Sequence, residues 1–187
     1  MTKRSALGEI WHFLWESDSP LSWIVDLILA FLIVKWILFP LMGLIFATSL
    51  PMVVVESTSM LHETNYDDFW SQYGGFYTNF GISKEQFSGF SLKNGFDMGD
   101  IIILHGEKDY HVGDIIVFDS KVQATPIIHR IIRIDNGIYS TKGDHNNVQL
   151  PYEKEIQKYQ IIGKAVGKVP YLGWPKLFLV NMYRAVF

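Results

Sequence analysis

The chain has no cysteine. That excludes a thiol nucleophile, a disulfide framework and any cysteine-based zinc or iron–sulfur site. Charge is scarce as well, with only 19% Asp, Glu, Lys and Arg, and the formal net charge is −3. No basic field exists to attract a phosphate backbone, so nucleic acid is excluded as a partner. Lys and Arg are missing altogether from Leu50 to Ser83. A length of 187 residues suits one compact domain with an appendage rather than two domains.

Apolar residues, by contrast, make up 49% of the chain and crowd toward its beginning. From Leu27 to Leu50 the only charge is Lys35. As a helix rising ~1.5 Å per residue, this stretch reaches about 36 Å, enough for a hydrocarbon core of about 30 Å. Asp26 can rest at the near interface and Lys35 can extend its ammonium toward the same side, while Pro40 invites a kink that a membrane helix tolerates. Ala47-Thr48-Ser49 has the small residues of a leader-peptide cleavage site. The apolar stretch is nevertheless far longer than the ~7–15 residues of such a leader, so a permanent anchor is expected. Lys3 and Arg4 precede the span and a basic-free flank follows it. The expected orientation therefore has the N-terminus cytoplasmic and everything beyond Leu50 outside the cell membrane, in a single pass.

Residues 1–20 form a cytoplasmic segment in which Leu7, Ile10, Trp11, Leu14 and Trp15 share one helical face, interrupted by Phe13, and Glu9, His12 and Glu16 take the other. This pattern predicts a short amphipathic helix on the bilayer surface, ended by Ser17-Asp18-Ser19-Pro20. Residues 21–50 are the transmembrane anchor. From 51 to 187 the texture becomes β. Met52–Val55, Ile101–Leu104, Asp114–Phe118, Ile127–Ile134, Ile138–Thr141 and Gln160–Val169 are short runs rich in Ile and Val, divided by turn residues. Asn136-Gly137 signals a hairpin. Met98-Gly99-Asp100-Ile101-Ile102 and Val112-Gly113-Asp114-Ile115-Ile116 echo each other and predict two similar entries into strands. The predicted fold is a mainly β catalytic domain, small and partly closed, on a single N-terminal transmembrane helix preceded by the short amphipathic helix. Residues 61–97 stand out as an aromatic insertion, too long and too rich in rings for an ordinary loop. Its Tyr and Trp suit a membrane–water interface, so part of it is expected to rest on the outer leaflet, the alternative being that its rings only pad the β core.

Three boxes carry chemistry. Val53-Val54-Val55-Glu56-Ser57-Thr58-Ser59-Met60 delivers a serine pair at the end of a strand just beyond the anchor. Pro126-Ile127-Ile128-His129-Arg130 puts a histidine in an apolar strand. Thr141-Lys142-Gly143-Asp144-His145-Asn146 puts an aspartate on a turn. A serine hydroxyl needs a base within hydrogen-bond reach, and that base gains orientation from a carboxylate. In this order, and with Gly113-Asp114-Ile115-Ile116-Val117-Phe118 and Val169-Pro170-Tyr171-Leu172-Gly173, the boxes resemble type I signal peptidases. The resemblance is to the archaeal and endoplasmic-reticulum branch, in which histidine replaces the bacterial catalytic lysine, and spans roughly Pro51 to Gly173 apart from the insertion.

The resemblance implies a membrane-bound serine endopeptidase that removes signal peptides, with secretory preproteins, the lipid bilayer and the secretion translocon as partners and without a cofactor or metal. It implies Ser59 as nucleophile, His129 as general base and Asp144 as the carboxylate orienting that base. Ser57 and the Ser59 N–H become the oxyanion donors, and Met60 is expected beside the substrate channel. Imidazole, with an ordinary pKa of about 6.5, is a base near neutrality without the deep desolvation a lysine needs. The chain departs from the family pattern twice. His62 stands where a proline usually follows the methionine, and Asn147-Val148-Gln149-Leu150 replaces a second acidic site, with Glu153 and Glu155 only later. A metallopeptidase is disfavoured because His62-Glu63 has no further histidine at zinc-binding spacing. The alternative to an enzyme is a non-catalytic, membrane-tethered β module of a processing complex, for which loss of Ser59 or His129 would be the mark.

Overall fold

The computed structural model describes residues 5–186, in two compact units, 1–45 and 46–187. In the first, α1 (Ala6–Trp15) starts at Ser5, whose hydroxyl accepts the Gly8 N–H, as its amphipathic spacing predicts. The side chain of Leu7 and the residues Lys3 and Arg4, on which the expected orientation rests, lie outside the described residues. A second capping serine, Ser19, followed by Pro20, opens α2 (Pro20–Ile33). This continues through a π-helical turn, Val34–Leu38, into α3 (Phe39–Ile45). The π turn has a local cause: Pro40 has no N–H to offer the carbonyl four residues back, and the Phe39 N–H reaches past it to Val34. Together these segments form one unbroken helix of 26 residues, Pro20–Ile45, whose most apolar 18-residue window has a mean hydropathy of 2.4 and is not buried, long and apolar enough to cross a membrane. It stops five residues before the expected boundary at Leu50, at a turn where Ala47 takes a positive φ of 50°.

The second unit is a curled antiparallel sheet of seven strands: β1 (Met52–Val54), β2 (Ile101–His105), β3 (Ile115–Phe118), β4 (Ile127–Asp135), β5 (Ile138–Lys142), β6 (Ile156–Gln157) and β7 (Ile161–Val169). Their spatial order is β1-β2-β7-β3-β4-β5-β6, so the edges are its two shortest strands. Six of the seven match the Ile/Val runs; the two-residue β6 carries too little pattern to show. The hairpin between β4 and β5 turns on Asn136 and Gly137 at φ of 48° and 78°. That pair of left-handed residues matches the right-handed strand twist. The two echoing boxes make the same turn. The Asp100 and Asp114 carboxylates each accept the backbone N–H three residues earlier, with Gly99 and Gly113 at positive φ between.

Strand β3 shows how the core is divided. Ile115 and Val117 join Val55, Met60, Phe96, Ile102, Leu104 and Ala165 on one face. Ile116 and Phe118 join Ile127, Ile131, Tyr139 and Ile156 on the other. Alternation along a strand sends neighbours to opposite faces, so a strand buried on both must be apolar throughout. A third cluster belongs to the insertion. Its helices α4 (Tyr66–Thr78) and α5 (Lys84–Ser88) close Phe69, Tyr73, Tyr77, Ile82 and Phe87 over Ile132 of β4. Ile132 is available because a bulge shifts the β4–β5 register between Ile131 and Arg133. Trp70 is half-buried against Tyr77 and Phe87, and no large apolar residue of 61–97 is counted among the exposed ones. The rings of this segment therefore pack chiefly on one another and against Ile132 of the sheet. Its rings turn inward because burying a wholly enclosed ring such as Phe87 stabilises the fold by about 3 kcal/mol, whereas leaving it in water contributes nothing.

Candidate active site

Strand β1 ends at Val54, and Val55 continues its pairing by donating to the Asp100 carbonyl at 2.9 Å and accepting the Gly99 N–H at 3.0 Å. Val55 and Met60 pin the segment that follows β1 by entering the first core cluster, leaving Ser57 exposed and Ser59 half-buried between them. The Ser59 carbonyl accepts the His145 N–H at 2.8 Å, tying the serine segment to the turn after β5. His129 stands on β4 opposite Ile116 and is almost wholly buried. Its Nε2 meets Ser59 Oγ at 3.0 Å, a nucleophile–base hydrogen bond, and Ser57 Oγ lies 3.2 Å from Ser59 Oγ. The serine pair and histidine, 70 residues apart in sequence, are thus brought together.

Asp144 is not part of this constellation. Its carboxylate receives Arg130 Nε at 3.0 Å and Nη2 at 2.7 Å, the Tyr77 hydroxyl at 2.7 Å and His62 Nε2 at 3.0 Å, all out of contact with water. The reason lies in β4. His129 and Arg130 are consecutive, so their side chains leave opposite faces of the strand, and a carboxylate paired with Arg130 is on the wrong side to reach His129. The Arg130 guanidinium also holds the carbonyls of Ser91, Leu92 and Gly113 and lies over the Phe87 ring. Burial alone would raise the Asp144 pKa. The Arg130 charge and the His62 contact outweigh it and hold this carboxyl well below the usual range. His62, in place of the family's proline, stacks on Phe69 with ring centroids 3.6 Å apart. The insertion and the catalytic turn therefore share one buried ionic hub.

The carboxylate that faces the base is Glu153, from the short 3₁₀ turn Pro151–Glu153. Its Oε1 is in ion-pair contact with His129 Nδ1; both atoms are buried, and neither has another partner among the described residues. Its Oε2 accepts the Leu150 N–H at 2.5 Å, fixing the side chain's rotamer, and Gln149 ties the same loop to the Thr141 carbonyl of β5. Sequence reasoning noticed Glu153 only as an acid arriving late. Its closeness to His129 depends on how the irregular loop from 143 to 153 folds back, which no periodicity encodes. Met60 also departs from expectation: it has no exposed surface, packs in the first core cluster and accepts the Asp144 N–H on its sulfur at 3.3 Å. It supports the turn from below.

Lys142, at the end of β5, is fully buried without an ion pair among the described residues. Its ammonium donates to the Gly143 and Asp144 carbonyls and lies over the Tyr73, Phe76 and Tyr77 rings. Burial pushes its pKa down to about 8, against the opposing pull of Asp144 and Glu153. A serine on a half-exposed loop, a base behind it and a carboxylate behind the base can carry out nucleophilic acyl transfer.

No model of a protein family matches the chain. Individual proteins do. It is 30% identical over 106 residues to the signal peptidase complex catalytic subunit SEC11 of Plasmodium falciparum, covering 51% of this chain and 57% of that one. With sec11 of Dictyostelium discoideum it shares 36% over 94 residues, 44% of this chain and 52% of the relative. With human SEC11C it shares 35% over 95 residues, 44% and 50% respectively. The chain spans about half the length of the curated relatives it matches. Over that shared half, it is similar to the catalytic subunits of signal peptidase complexes.

Proposed function

We propose that this protein is a membrane-anchored serine endopeptidase that removes signal peptides from secretory preproteins at the outer membrane face. The observation that carries this reading is the 3.0 Å contact between Ser59 Oγ and His129 Nε2, with Glu153 against Nδ1. Ser59 attacks the scissile carbonyl while His129 Nε2 takes its proton. The positive charge then shared by the imidazole is met by the Glu153 carboxylate, which also keeps the proton on Nδ1 and the lone pair on Nε2. The negative charge on the carbonyl oxygen is received by the Ser59 N–H and the Ser57 hydroxyl. His129 returns its proton to the departing amine, and a water activated by the same nitrogen releases the signal peptide from Ser59. Asp144 and Met60 act beneath this machinery, holding the turn that supports it.

The helix Pro20–Ile45 would keep the catalytic unit close to the bilayer, where a signal peptide is still embedded, with the N-terminus cytoplasmic and the translocon as the source of substrate. The substrate would bind as an extended strand, gaining affinity from backbone hydrogen bonds and selectivity from alternate side chains. Incubating the full-length chain in membranes with a preprotein and mapping the cut by mass spectrometry tests this. A cut is expected after small residues at the first and third positions, and it should disappear when either becomes Phe. Equal processing of the bulky variants would reject the reading.

A further inference from the structure

The Lys142-Gly143-Asp144-His145-Asn146 box holds one polar side chain that neither the hub nor the catalytic relay uses. Asn146 is half-buried, its backbone N–H is committed to the Gly143 carbonyl at 2.9 Å, and its carboxamide has no partner among the described residues. The direction of that carboxamide can be read from Gly143. A Cβ at this glycine would stand 2.6 Å from Asn146 Nδ2, 2.7 Å from His129 Nε2 and 2.9 Å from the Ser59 carbonyl oxygen. The three groups therefore crowd around one point, left free only because residue 143 has no side chain. Each of those distances is below van der Waals contact, so alanine could not take this position without displacing the base.

An amide donor without a partner, beside the base of an acyl-transfer site, is a place for a substrate oxygen. Which oxygen follows from the chemistry. The oxyanion donors proposed above both come from the Ser57–Ser59 segment, whereas Asn146 comes from the turn after β5 and adjoins Nε2. The substrate atom that must approach Nε2 is the nitrogen of the residue after the cut, because that nitrogen collects the proton as it leaves. The nearest free acceptor on that residue is its own backbone carbonyl.

We propose that Asn146 donates its carboxamide N–H to the backbone carbonyl of the residue following the scissile bond and so holds the leaving group in line with His129. This rests on the peptidase reading and adds a substrate contact to it. A contact of this kind is independent of side-chain identity, and it holds the leaving residue in place while its nitrogen takes the proton.

The test compares two substrates of the same signal-peptide sequence, one continuing for several residues past the cut and one ending there as a nitroanilide, which has no such carbonyl. For Asn146→Ala, kcat/KM on the continued peptide relative to the anilide should fall about tenfold, the worth of one neutral hydrogen bond at the upper end of its range. A variant that had merely lost structure would lower both rates together and leave that ratio unchanged, and an unchanged ratio overturns the assignment. If the unaltered chain cleaves neither substrate, the peptidase reading falls and the role of Asn146 with it. Activity on both with an unchanged ratio removes only Asn146.

Discussion

Replacing Glu153 by Gln and Asp144 by Asn separates the acid that orients the base from the acid that holds the fold. Glutamine is nearly isosteric with glutamate. Its oxygen can still accept the Leu150 N–H now bound to Oε2, but that places its NH2 group against His129 Nδ1. A donor there forces Nδ1 to accept, which moves the imidazole proton to Nε2, where it faces Ser59 and prevents proton removal. In the serine-protease template, the equivalent change costs about 10⁴ in kcat with the geometry intact, or roughly 5 kcal/mol of barrier. Unfolding should be little affected. Asp144→Asn does the reverse: the Arg130 guanidinium, fully buried, loses its one anionic partner among the described residues. Removing one member of a buried pair costs about 3–5 kcal/mol, a large part of a total stability of about 5–15 kcal/mol. Single-turnover processing of a preprotein, scaled to folded enzyme, and thermal unfolding of the same samples measure the two effects. Glu153→Gln should give a normal melting temperature and almost no turnover; Asp144→Asn should melt far lower, with the folded fraction still turning over. An inactive Asp144→Asn that melts normally, beside an active Glu153→Gln, would refute the assignment.

Two further outcomes follow. Lys142 has a folded pKa of about 8, below its ordinary value of 10.5. Between these values the unfolded chain retains a proton that the folded one has released, so stability rises with pH across this window, and the cost of burying the charge is fully present below it. At roughly 1.4 kcal/mol per pKa unit, wild type should gain about 3 kcal/mol relative to Lys142→Met between pH 8 and 10.5 in denaturant titrations; a constant difference would show that the ammonium is not desolvated. In a variant whose only tryptophan is Trp70, emission should be little affected by shallow lipid-borne quenchers, because that ring is half-buried against Tyr77 and Phe87; strong quenching would place it on the outer leaflet.

The legible parts of the fold were those with a period. Runs of Ile and Val marked six strands, Asn136-Gly137 marked the β4–β5 turn, and an apolar stretch with Lys35 as its one charge marked the long helix, though its end was displaced by the Ala47 turn. Ser59 and His129 were singled out by the resemblance of their boxes to the type I signal peptidase pattern, since a serine at a strand end or a histidine in an apolar strand is a weak signal by itself. The insertion was legible as aromatic but not as a layer, although its helix was signalled by Asn65 before Asp67 and Asp68 and by rings at Phe69, Tyr73 and Tyr77, four residues apart. The orienting acid was not legible. Strand alternation sends Arg130 and His129 to opposite faces, so the Gly143-Asp144 turn beside the base in sequence serves its neighbour instead, and the carboxylate at the base arrives from a loop without pattern.

Ser59→Ala, assayed beside wild type for processing of one preprotein in reconstituted membranes, tests the central claim most directly. It removes one oxygen from a half-buried loop and leaves the hydrogen bonds of Asp144, Arg130 and Glu153 in place, so the variant should insert and melt like wild type. The account predicts mature protein from wild type and none from Ser59→Ala. Processing by Ser59→Ala at a rate near that of wild type would contradict it.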